Sequence, residues 1–172
     1  MAQTHVSREQ IEVYRFSLPA TVGIPLLAVF LQAFVPLRFP SFSIFDLPLL
    51  VTIFFAVARR SQVAGLLTGG AIGLLQDSLT HGPIGLYGIA NTVVGYGASS
   101  LGVKLDVDNP GSRLLMTFAF YLVHQVTYHA VARGLVGQTL AWGWGHELIH
   151  GVANAMLAVL LFYLLDRFRQ TT

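Results

Sequence analysis

The chain has 172 residues, of which 54% are hydrophobic and only 10% charged, against roughly 25% charged residues in a soluble domain. So little charge cannot cover a water-facing surface, and a net charge of +2 with no basic run argues against nucleic acid as a partner. With no cysteine there is no disulfide, thiolate metal site or cysteine nucleophile.

Residues 1–16, with Arg8, Glu9, Glu12 and Arg15, read as a short cytoplasmic tail. Six apolar runs follow, at about 17–37, 44–58, 62–80, 84–103, 113–135 and 146–165. Polar breaks separate them, and a hydrocarbon core of about 30 Å needs roughly twenty helical residues. The expected fold is all-α and polytopic, with six transmembrane helices over residues 17–166 and a second cytoplasmic tail at 167–172. The first run is too long for a signal-peptide core and reads as an uncleaved anchor. The second is short and contains Pro48, which predicts an interruption, a tilt, or an interfacial turn before it at Pro40 to Ser43.

Six spans place Arg8, Arg15, Arg59, Arg60, Lys104, Arg113, Arg167 and Arg169 on one side, and Arg38 and Arg133 on the other. Basic residues concentrate in the cytoplasm, so both termini are expected inside, on the cytoplasmic face of the membrane. A five-span alternative with a re-entrant second run puts Arg59 and Arg60 on the wrong side. These arginines read as headgroup anchors, or else as contacts for a cytoplasmic partner.

In the third run Gly65, Gly69 and Gly73 recur at four-residue spacing, and Gly95, Ala98 and Gly102 form a similar face in the fourth. Gly151 and Ala155 repeat the pattern in the sixth. Such stripes let backbones approach closely in lipid. Intramolecular packing is the plainer reading, and docking of a partner's span the sharper one. Asp77 closes the third run, and His81-Gly82-Pro83-Ile84-Gly85 makes a tight turn in which glycine permits positive φ. A carboxylate at membrane depth needs hydrogen bonds from the turn or the next helix, a partner or ligand, or an ion pathway.

Thr117, Tyr121, His124 and Tyr128 put a polar stripe on the fifth run, with Gln125 and His129 beside it. With Asn91, His146, His150 and Asn154 they would form a buried hydrogen-bond network or line a ligand cavity. His146-Glu147-Leu148-Ile149-His150 matches the H-E-x-x-H zinc motif, with Asp77, His81 or His129 as the third ligand it would need. The pattern is short and opens its helix, so a polar cluster at a helix start is the reading preferred. No catalytic residue, cofactor or metal is expected.

From Phe45 to Leu105 the chain resembles the rod shape-determining protein MreD family. The residues that carry the likeness are Asp46-Leu47-Pro48-Leu49-Leu50, Arg59-Arg60, Ala64-Gly65, Gly69-Gly70, Gly73, Leu75-Gln76-Asp77, Gly82 to Tyr87, and Gly95-Tyr96. The resemblance implies a non-enzymatic component of the cell-elongation complex, which directs peptidoglycan synthesis and maintains rod shape. It implies a fold similar to the substrate-binding subunits of energy-coupling-factor transporters. The implied partners are an MreC-like protein, the MreB filament (directly or indirectly), and RodA with its transpeptidase. On this reading Gly65, Gly69, Gly73, Asp77, Gly82, Pro83, Gly85 and Tyr87 are the packing and partner-contact residues. The alternative is a small-molecule binding or transport subunit.

Overall fold

The computed structural model describes residues 15–80, 82–102, 109–138 and 143–170. Arg8, Glu9, Glu12, His81 and Lys104, used above, lie outside these residues. Six α-helices make up the described chain: α1 (Leu18–Arg38), α2 (Leu47–Arg59), α3 (Gln62–Leu79), α4 (Leu86–Gly102), α5 (Pro110–Leu135) and α6 (Trp144–Leu165). Three described segments, Leu18–Arg38, Pro40–Arg59 and Trp144–Phe168, are long and apolar enough to cross a bilayer.

Local chemistry sets the ends. Ser17 Oγ accepts Ala20 N–H at 3.4 Å to start α1. Asp46 Oδ1 accepts Leu49 N–H at 3.2 Å to start α2, and Asn109 Oδ1 accepts Gly111 N–H at 2.8 Å to start α5. The structure corrects the expectation for Pro48. It lies in the first turn of α2, where its missing N–H breaks no bond, so it opens the helix instead of interrupting it. The interfacial turn does exist, as a short 3₁₀ segment, Pro40–Ile44. Arg60 ends α2 in the left-handed region at φ 50°, and Ser61 caps α3 at once, which makes a tight hairpin.

Helix α2 is the central element. Every residue from Leu47 to Ala58 is buried, and α2 packs against all five other helices. Phe54 and Phe55 anchor its C-terminal half by edge contacts with each other and with Phe16, and Phe54 meets Phe162 of α6 at 5.4 Å. By contrast, α1 buries only Pro25, Ala28 and Val29 and turns Val22, Leu26, Leu27, Phe30 and Phe34 outward.

The two expected tails meet. Strand β1 (Arg15–Phe16) pairs antiparallel with β2 (Arg169–Gln170). Nearby, Arg113 Nη1 sits 2.7 Å from Asp166 Oδ2 and ties the start of α5 to the end of α6.

Candidate functional site: a polar seam around Asp46 and Asp77

The third and fourth helices touch backbone to backbone. A Cβ on Gly65 would strike the Gly95 carbonyl oxygen, one on Gly69 the Asn91 carbonyl, and one on Gly73 the Tyr87 carbonyl. The stripe is therefore filled by α4 of the same chain. In lipid, where burial of apolar surface gives helices no net attraction, such contact supplies the dispersion energy that holds them together.

At the far end of this seam Asp77 is 2% exposed. Its Oδ2 accepts the N–H groups of Gly85 at 2.8 Å and Gly88 at 3.0 Å, and its Oδ1 accepts that of Tyr87 at 3.0 Å. The reason lies in the turn. Gly85 occupies the cap position of α4, with its carbonyl accepting Ile89 N–H, and its φ of +107° suits glycine. A glycine has no side chain to cap with, so Asp77 supplies the acceptor from the preceding helix. Its carboxyl group faces the positive end of the α4 dipole. Gly82 is exposed with open space around it, and Pro83 is half-buried.

Asp46 gathers the other helices. Its N–H donates to Asn154 Oδ1 at 2.8 Å, and its Oδ1 accepts Gln76 Nε2 at 3.4 Å. Its Oδ2 lies 4.0 Å from His124 Nδ1. Asn154 Nδ2 donates to the carbonyls of Ile44 and His150. Gln32 of α1 donates to Phe45 O at 2.9 Å and accepts Leu47 N–H at 3.1 Å. Gln76 Oε1 accepts Asn91 Nδ2 at 3.4 Å. All six helices thus enter one polar seam, in which Tyr87 stacks on His124 (5.9 Å between centroids) and packs on Tyr128 (4.8 Å).

The stripe on α5 does face inward, since Thr117, Tyr121 and His124 are buried. Tyr121 donates to Glu147 Oε2 at 3.2 Å and accepts Gln125 Nε2 at 2.8 Å. On α6 each four-residue step advances the face by about 40°. His146 is accordingly exposed, His150 half-buried and Asn154 buried. Within the H-E-x-x-H stretch it is the glutamate that turns inward, to a tyrosine hydroxyl. Among the described residues no three His, Asp or Glu side chains converge as metal ligands. Two residues central to the seam, Asp46 and Gln32, were not singled out as site residues from sequence. For Asp46 the available signal was its place one residue before Leu47-Pro48, a helix-start pattern.

A family model described as rod shape-determining protein MreD matches residues 14–169 of the chain. No curated protein and no solved structure matches it.

Proposed function

From its membership of the rod shape-determining protein MreD family, we propose that this chain is a non-enzymatic membrane component of the cell-elongation complex, acting in peptidoglycan synthesis by positioning its partners. The family match, which spans nearly the whole chain, carries this reading. The partners proposed are an MreC-like protein, the MreB filament and RodA with its transpeptidase. All six helices cross the membrane in an arrangement like the energy-coupling-factor substrate-binding subunits, with tails 1–16 and 167–172 in the cytoplasm. The uneven placement of Lys and Arg supports that orientation. The seam has the character of a scaffold. Its glycines and Asp77 are engaged within the chain, which holds the turn from Gly82 to Tyr87 in a fixed shape, with Gly82 and Ile84 exposed for contact.

Depletion in a rod-shaped host without a paralogue tests the function. Rounded cells, rescued by the wild-type gene, are expected, and persistent rods would overturn the proposal. The absence of cysteine makes topology directly accessible. A Gly82→Cys variant should react with an impermeant maleimide in intact spheroplasts, and Arg60→Cys only after lysis.

A further inference from the structure

The weak grip on α1 leaves a cleft of about 310 Å³ between α1 and α3, lined by Thr21, Val22, Leu26, Thr68, Ile72 and Leu75. It runs along the helices. Thr68 is about 9 Å from the start of α3 and Leu75 about 20 Å, so the cleft follows the direction of a hydrocarbon chain. At its shallow end lies Arg59, whose guanidinium donates to Thr68 Oγ1 at 3.4 Å and Thr21 Oγ1 at 3.3 Å, with Phe55 at 5.6 Å. These are long bonds to neutral hydroxyls, and no carboxylate among the described residues pairs with Arg59. Arg60 adds a second cation at the same helix end, its Nε buried and without an acceptor among the described residues.

We propose that this cleft binds one anionic phospholipid, with its phosphate on Arg59 and an acyl chain along α1 and α3. A guanidinium presents a planar fork of donors that matches phosphate oxygens, and the two threonine hydroxyls add flanking polar groups. The uncompensated positive charge selects a net-negative headgroup over a zwitterionic one, whose own cation would already neutralise the phosphate. The apolar walls select a lipid over free phosphate.

Nanodiscs of phosphatidylcholine containing a small fraction of brominated lipid provide the test. A Leu67→Trp reporter, placed on the cleft wall with Trp142→Phe and Trp144→Phe in the background, reads occupancy by quenching. Brominated phosphatidylglycerol should quench with about fivefold higher apparent affinity than brominated phosphatidylcholine, the size of one basic residue's attraction at a membrane. Arg59→Gln should abolish the difference, and Arg38→Gln, at the opposite end of α1, should preserve it. If Arg59→Gln fails to fold, Ala71→Phe, which fills the cleft from its lipid-facing side, should also abolish it. Equal quenching by both lipids would overturn the proposal, as would a preference that survives either cleft variant. Loss of the preference on adding inorganic phosphate would likewise overturn it, because an ion alone would then satisfy the site.

Discussion

The backbone N–H of Asp46 donates to the side chain of Asn154 across 108 residues of sequence, at 2.8 Å. With the Asn154 amide also satisfying the Ile44 and His150 carbonyls, one residue of α6 fixes where α2 begins. Asn154→Ala would leave the half-buried Asp46 donor and Ile44 acceptor without this partner, at about 1 kcal/mol each. The expected outcome is a clear fall in the melting temperature of the detergent-solubilised protein. Asn154→Gln, which keeps the chemistry at the wrong reach, should recover little of it.

Gly69 offers the sharpest packing test, because a single methyl there meets the Asn91 backbone. Gly69→Ala should destabilise by about 1–3 kcal/mol as the two helices are forced apart. Gly23→Ala on α1, where nothing lies within 4 Å, is the matched control and should be neutral. Similar losses for both in a thermal-shift assay would contradict the close approach of α3 and α4.

For Asp77 the readout is local. Asp77→Ala removes the acceptor for three N–H groups at the start of α4, and amide exchange at Gly85, Tyr87 and Gly88 should accelerate well before global unfolding. Asp77→Asn keeps one acceptor oxygen, so its effect should be intermediate, with a stability loss of about 1–2 kcal/mol. Unchanged protection in Asp77→Ala would show that the cap is not formed in the bilayer.

Arg113 and Asp166 join helix ends where Arg113 is nearly buried and Asp166 about a quarter exposed. Arg113→Met removes this charge-assisted contact and should lower stability by about 1.5–3 kcal/mol. Pairing it with Asp166→Leu should restore much of that stability. A double-mutant cycle with no coupling energy would remove the pair from the list of forces closing the bundle.

The helices were legible from sequence to within a few residues because apolar runs bounded by Pro, Arg and Ser carry local information. The α3 stripe and the turn at Gly85 were equally plain, since glycine at those spacings has few other uses. The seam was harder to see. Asp46 reaches Asn154, Gln76 and His124 only after three other helices have been placed around it, and no periodicity encodes that meeting. Pro48 misled because an interior proline and a first-turn proline look alike until the cap at Asp46 is recognised. Glu147 sits in a match to a zinc motif, but the short, helix-opening pattern pointed to a polar cluster, and its side chain accepts the Tyr121 hydroxyl.

Helix α2 is sheathed on every side from Leu47 to Ala58. A lipophilic photoreactive carbene dissolved in the acyl chains would mark α1 and α6 heavily and pass over α2. A labelling map would then miss a segment that is long and apolar enough to cross a bilayer. One of the greasiest stretches of this polypeptide is the one that, once assembled, keeps no face for grease.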